Sequence, residues 1–508
     1  MKYKLEIMDT TLRDGEQTSG VSFGAFEKLS IARLLLKEIK VNRIEIASAR
    51  VSAGEMEAVK QVCAWAEKNK KIQAIEVLGF IDNGVSIKWI KESGCKVVNL
   101  LSKGSLRHCK YQLKKSPQDH INDIKREIEI ATNEGIGVNL YLEDWSNGMK
   151  DSPEYVYNLI DSLCTCNIKR FMLPDTLGVL NPDSTYKYCK EIIDRYPNLH
   201  FDFHAHNDYD LAVANCYAAI RAGVKGIHCT VNGLGERAGN AALSSVLAVT
   251  HDQLGIKTSI NEAKINHVSR VVETYSGIRI PANKPVIGDN VFTQCAGVHA
   301  DGDNKNNLYY NDLLPERFGR MREYALGKTS GKANIRKNLE AMGIELDEES
   351  MRKVTERIIE LGDKKEIISQ EDLPYIISDT LKSNTQKDKI VLLNYTLAVA
   401  NGLRPGAVLK LEINGEIYEA GATGDGQYDA FVKGIQWIYK TKLHRAFPQL
   451  LDYAVNIPPG GKTDALVQTT ITWDYKGKVF KTHGLDLDQM AAAIQATMKM
   501  LNHIEEMN

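Results

Sequence analysis

No apolar run in this 508-residue chain approaches the roughly 18–20 residues that a bilayer-spanning helix needs. Its apolar stretches, such as IARLLLKEI, are short and broken by charge, so no membrane partner is expected. An excess of either charge is also missing: 64 Lys+Arg stand against 65 Asp+Glu, for a net charge of -1. That balance argues against a polyanionic partner such as nucleic acid. The N-terminus, MKYKLEIMDTTLRDG, has no apolar core and no small-residue cleavage site of a secretory signal. A cytoplasmic location is therefore expected. The nine cysteines are odd in number and scattered, which fits reduced thiols better than a disulfide framework. Cys164 and Cys166 form a C-x-C pair that matches zinc-site spacing poorly and reads as core. Finally, no glycine-rich turn follows the first strand-like run, as a doubly wound dinucleotide-binding sheet would usually carry.

What is present is an ordinary globular composition, 43% hydrophobic and 25% charged, in a chain too long for one core. In the first half, β-branched runs alternate with helical stretches. The runs are LEIMDTT, NRIEIAS, IQAIEVLGF, KVVNLLS, GVNLYLED, RFMLPDT, HFDFHAH and GIHCTVN. Between them, residues such as Leu29, Ala32, Leu36 and Ile39 recur at helical spacing. Alternating βα units imply a parallel sheet, and eight of them predict an α/β fold of the closed (β/α)₈ TIM-barrel type over residues 1–255. An open doubly wound sheet is the alternative. Polar residues recur at the strand ends: Arg13 and Asp14, Tyr141 and Glu143, Asp175 and Thr176, His204 and His206, then Asn232. In a barrel, chemistry sits at those ends. Because i and i+2 share a face of a strand, Tyr141 with Glu143, and His204 with His206, can enter one cavity together.

Past residue 255 the rhythm stops. Residues 256–335 mix helix signals with Gly/Pro loops and are expected to complete the active site. Residues 336–388 read as charged helices ending in a polar linker, SNTQKDK. Residues 389–508 carry a weak internal repeat, three strand-like runs and a helix, used twice. A duplicated βββα unit predicts a compact α+β module able to pair with a copy of itself, hence a homodimer.

The strongest constellation is FHAHND at 203–208. Two histidines at i, i+2 can offer imidazole nitrogens to one metal, and a hard or borderline cation then needs oxygen partners. Asp14 at the end of the first strand is the natural carboxylate. The loop NGLGERAGN at 232–240 brings Asn240 beside it, because the last strand of a closed barrel neighbours the first. Glu143 is preferred to Asp144 as the active carboxylate because it shares a face with Tyr141. His108 and His228 are expected to be structural.

DTTLRDGEQ at 9–17, FHAHND at 203–208 and NGLGERAGN at 232–240 resemble the metal-dependent Claisen enzymes of the isopropylmalate, citramalate and homocitrate synthase family. The resemblance continues through AGVHADG at 296–302, LGKTSGK at 326–332 and the C-terminal module. It implies that acetyl-CoA is condensed with a small α-keto acid with the help of a divalent ion, Mg²⁺, Mn²⁺ or Zn²⁺. It further implies that Asp14, His204, His206 and Asn240 hold the ion, and that Arg13 and Thr176 meet the keto acid. Glu143, His299 and Tyr309 would handle the acetyl-CoA protons and the final hydrolysis, with neighbouring Tyr310 as the alternative tyrosine. The C-terminal module would bind leucine or isoleucine, with the turns GATGDG and PPGGKTD as candidate loops.

The ends of strands three to five offer Leu78, Leu101 and Tyr141 as pocket walls, all bulky and none basic. Such walls favour a methyl over an isopropyl group and give a second carboxylate no partner. The resemblance is therefore closest to citramalate synthases acting on pyruvate, then to isopropylmalate synthases, with homocitrate synthases third. A hydroxymethylglutaryl-CoA-type lyase would share the metal site, but the C-terminal repeat argues against it.

Overall fold

The computed structural model describes residues 5–363, 368, 370–381, 389–456 and 467–507. The expected linker SNTQKDK lies almost wholly outside the described residues, and the turn PPGGKTD entirely so. By internal packing the chain divides into two compact units. One comprises Met1–Phe292 with Tyr310–Arg322, the other Thr293–Tyr309 with Glu323–Asn508.

The first unit is the barrel. Its strands are β1 (Glu6–Asp9), β2 (Arg43–Ser48), β3 (Ile75–Phe80), β4 (Val97–Lys103), β5 (Gly137–Glu143), β6 (Ile168–Asp175), β7 (Phe201–Ala205) and β8 (Gly226–Cys229). They pair in sequence order and close, with β1 parallel to β8 and Ile7 opposite Ile227. Each run read as a strand coincides with one of them, although β4 extends one residue past its run and β6 begins two residues before its own. Ile72–Ala74, read as the start of the third, instead forms a 3₁₀ turn leading into β3.

The alternation that made these runs legible also sorts their side chains. On β2, Ile44 and Ile46 are buried in the shell between sheet and helices, while Arg43 and Glu45 occupy the barrel interior. Arg43 reaches Glu76 on β3 at 2.9 Å and Asp202 on β7 at 2.5 Å, so these inward positions meet across the barrel. Gly226 on β8 makes room for that contact, since a Cβ there would lie 2.0 Å from an Asp202 carboxylate oxygen. The surrounding helices begin where short polar residues cap them. Ser52 accepts the Glu55 N–H and starts Ala53–Lys68, and Ser116 with Pro117 starts Pro117–Asn133.

In the second unit, β9 (Thr293–Gln294) pairs in parallel with β10 (Glu323–Tyr324). Helices Lys332–Met342, Glu348–Asp363 and Leu373–Leu381 share a core of Leu339, Val354, Ile358 and Leu373. The repeat then appears as two antiparallel three-stranded sheets. The first is β11 (Ile390–Ala398), β12 (Gly406–Ile413) and β13 (Glu416–Thr423), followed by helix Gln427–Thr441. The second is β14 (Gln449–Asn456), β15 (Val467–Tyr475) and β16 (Lys478–Asp486), followed by helix Gln489–Met507. Leu409, Leu411 and Phe431 of the first half share one core with Ile471, Trp473 and Leu501 of the second. Each half alone would leave an apolar face open. Among the described residues, no helix is long and apolar enough to cross a membrane.

Candidate active site at the strand ends of the barrel

β1 ends in a tight loop that presents Arg13 and Asp14 over the barrel mouth. The Arg13 guanidinium is held on three sides. Nε donates to Glu45 Oε2 at 2.6 Å, Nη2 donates to the Tyr141 hydroxyl at 3.4 Å, and Nη1 lies 3.3 Å from Asp14 Oδ2. Burial alone would weaken this cation, but Glu45 and Asp14 more than reverse that, so it stays charged. Glu45 in turn accepts from Thr10 Oγ1 and Asn99 Nδ2, each at 2.7 Å. Burial pushes its carboxyl up, yet Arg13 and these donors leave it below the usual carboxylate range.

Beside Arg13, three ligand atoms converge. His204 Nε2 lies 3.1 Å from Asp14 Oδ2, His206 Nε2 lies 3.8 Å from it, and the two imidazole nitrogens are 3.3 Å apart. All three side chains are buried. Burial, reinforced by neighbouring His204, pushes the His206 imidazole down to about 4, so at neutral pH it offers a lone pair. Burial pushes the Asp14 carboxyl up, but Arg13 and the two imidazoles outweigh it and keep the group ionised. Asn240 stands opposite His206 in an isolated bridge and commits its Nδ2 to the Leu234 carbonyl at 3.1 Å. Its Oδ1, like Asp14 Oδ1, is buried with no hydrogen-bond partner among the described residues. Two imidazoles and a carboxylate form a mixed N/O donor set that fits a divalent cation, and the unpartnered amide oxygen belongs to the residue bridged to His206.

These groups open onto a cavity of about 220 Å³. Arg13, Asp14, His204 and His206 form its polar side; Leu78, Leu101 and Tyr141, joined by Phe80 and Pro174, form its apolar wall. Glu143 and Thr176 also line it, with Gln17, Ser48 and Glu236. Leu78 and Tyr141 pack with Met8 and Met172 as one buried cluster, with Leu101 against it. Nine of the residues singled out from sequence thus share one cavity. Asp144 does not line it; its backbone turns left-handed (φ 64°) and its N–H donates to Thr176 Oγ1 at 2.9 Å. His299 and Tyr309 belong to the second unit, where their ring centroids lie 4.2 Å apart. Tyr310 belongs to the first and stacks under the Arg322 guanidinium, 3.8 Å away.

Three features of the site escaped the sequence reading. Glu45 is one, and its signal was an acid at an inward position of an otherwise apolar strand. The second lies below Tyr141: its hydroxyl meets His228 Nδ1 at 3.1 Å, and His228 Nε2 meets Asp202 Oδ2 at 3.1 Å. His228, expected to be structural, thus braces a wall of the cavity through Tyr141. The third is Lys103, two residues beyond Leu101 on β4, which does not line the cavity but pairs its ammonium with Glu143.

Comparison with known proteins covers the whole architecture. Residues 4–272 match the HMGL-like family model, 286–366 the homocitrate synthase post-HMGL domain-like model, and 367–505 the LeuA allosteric (dimerisation) domain. The chain is 34% identical to a 2-isopropylmalate synthase of Methanocaldococcus jannaschii, over 99% of this chain and 95% of that protein. It is also 34% identical to an (R)-citramalate synthase of the same organism, over 98% of this chain and 99% of that protein. A putative (R)-citramalate synthase of Methanopyrus kandleri is again 34% identical, over 92% of this chain and 90% of that protein.

Proposed function

The chain belongs to the HMGL-like family, among the isopropylmalate, citramalate and homocitrate synthases, and from that premise we propose that it condenses acetyl-CoA with pyruvate to give citramalate. Catalysis is assigned to residues 1–255, with 256–335 completing the site. Residues 336–388 would link it to a regulatory, dimer-forming domain at 389–508.

A Claisen condensation needs a polarised carbonyl and a base over a weakly acidic thioester methyl. A divalent ion held by Asp14, His204, His206 and Asn240 Oδ1 would supply Lewis-acid polarisation of the keto acid. Arg13, fixed by Glu45 and Tyr141, carries positive charge that needs no reorganisation as negative charge develops on the keto oxygen. Thr176 assists at the carboxylate. Glu143, which lines the cavity from β5, takes the proton from the methyl, with His299 as the alternative base; the enolate carbon adds to the keto carbon, whose oxygen gains a proton, and water then cleaves the thioester to release CoA.

The observation that carries the choice of pyruvate is the filled wall. Leu78 and Tyr141 pack with Met8 and Met172, with Leu101 against them, so the wall is bulky and braced from behind rather than ready to yield to two further methyl groups. Overpacking of that kind costs about 1–3 kcal/mol, or roughly 10–200-fold in kcat/KM. Equal identity to relatives of both names keeps 2-isopropylmalate synthesis from 3-methyl-2-oxobutanoate as the second reading. Free-CoA release with each keto acid separates them. Pyruvate should have the higher kcat/KM, and Leu101→Ala should narrow the gap. A wild-type preference for 3-methyl-2-oxobutanoate would make the second reading correct.

A further inference from the structure

We propose that Lys103 is a positioning residue of this site: its ammonium holds the Glu143 carboxylate where it can work on the acetyl-CoA methyl. The inference rests on the condensing activity proposed above and extends it to a residue outside the cavity lining. Lys103 and Glu143 are direct partners in the parallel register of β4 and β5. Their side chains are only 9% and 23% exposed, so the pair is largely withdrawn from water. A cation so buried is costly without a partner, and a proton-transfer carboxylate that can swing between rotamers is a poor base.

The fold fixes Lys103 from both sides. Its N–H donates to His120 Nε2 at 3.1 Å, and its carbonyl accepts from the Tyr155 hydroxyl at 2.9 Å. The next residue, Gly104, donates its N–H to the Glu143 carbonyl at 2.6 Å. A Cβ on Gly104 would lie 2.3 Å from the Leu142 carbonyl oxygen, so the two strand ends are joined as closely as backbone allows. The charges around the cavity are also divided. Arg13 is committed to Glu45 and Asp14, whereas Glu143 has its own cation. That division means that Arg13, already paired, does not stand in for Lys103 at Glu143.

The test is steady-state CoA release by the full chain carrying Lys103→Met, Lys103→Arg, Glu143→Gln, or Lys103→Met with Glu143→Gln, with thermal melts as a check on folding. Lys103→Met should lower kcat at least about tenfold while leaving KM for the keto acid nearly unchanged, and Lys103→Arg should recover much of the loss. In the Glu143→Gln background, Lys103→Met should cost less than about twofold, because the two residues act as a unit. Equal losses in both backgrounds, an unchanged kcat, or an effect confined to KM would each overturn the proposal. If Lys103→Met does not fold, Lys103→Arg against Lys103→Gln makes the same comparison, and equal activity of the two is the overturning result. A wild-type chain that releases no CoA with any keto acid overturns the parent reading, and this inference with it. Failure of Lys103 alone leaves that reading intact.

Discussion

At the scale of single residues, the site depends on which lone pairs remain uncommitted. His206 is held neutral, Asp14 is held ionised, and Asn240 keeps its amide oxygen free. We therefore expect the chain to bind one Mn²⁺ per subunit in calorimetry, and chelation to abolish CoA release until the ion is restored. Asp14→Asn or His204→Ala should weaken binding at least about tenfold, and Asn240→Ala less. Undiminished Mn²⁺ affinity in His204→Ala would remove these residues from the ligand set. His204 and His206 were legible because a strand repeats every two residues and a barrel works at its strand ends. Glu45 was harder to read. Several acids point inward, among them Glu76 and Asp202, and only the register between neighbouring strands decides which one meets Arg13. Lys103 was missed for a smaller reason. The run KVVNLLS was closed at Ser102, and β4 extends one residue further.

At the scale of elements, the barrel was readable from alternating apolar and polar positions, but the buttressing of its strands was not, because it runs from helix to strand. Helix Pro117–Asn133 sends His120 inward to accept the Lys103 N–H, a role that requires an unprotonated Nε2. Burial, aided by the cations of Lys115 and Lys103, pushes this imidazole down to about 4. The unfolded chain, with an ordinary histidine near 6.5, then binds more protons than the folded one between those values. Stability should rise with pH across that window and be lost as pH falls from about 6.5 toward 4. The contribution of His120 is on the order of 3 kcal/mol. His206 and His228 are pushed down to about 4 by burial as well, so the wild-type slope is a sum. In the metal-free protein, His120→Gln should flatten the dependence of the melting temperature on pH over this range. Parallel profiles for variant and wild type would show that the His120 contact does not carry it.

At the scale of the whole molecule, a chain for which we propose condensation at its barrel also carries a repeated βββα unit over residues 390–507. The two halves of that unit bury one another's apolar faces, which accounts for a separate folded module but not for its presence in a synthase. Regulation does. We expect leucine or isoleucine to inhibit the full chain, with residues 389–508 as the sensing element. An effector changes activity only if it binds active and inactive states with different affinity, typically a difference of about 1–3 kcal/mol. Inhibition should therefore be partial at low effector concentration and saturable, and substrate binding should weaken effector binding by the same factor. A chain truncated near Lys387 should lose its response to both amino acids. The readout is the ratio of CoA release with and without effector, so a truncated chain with lowered activity still answers the question. Full sensitivity to leucine and isoleucine after truncation would move the sensor into the remaining residues. Loss of dimer on truncation, read by size-exclusion chromatography with light scattering, is the second expected outcome, since a duplicated unit that pairs with its own copy would hold the subunits together.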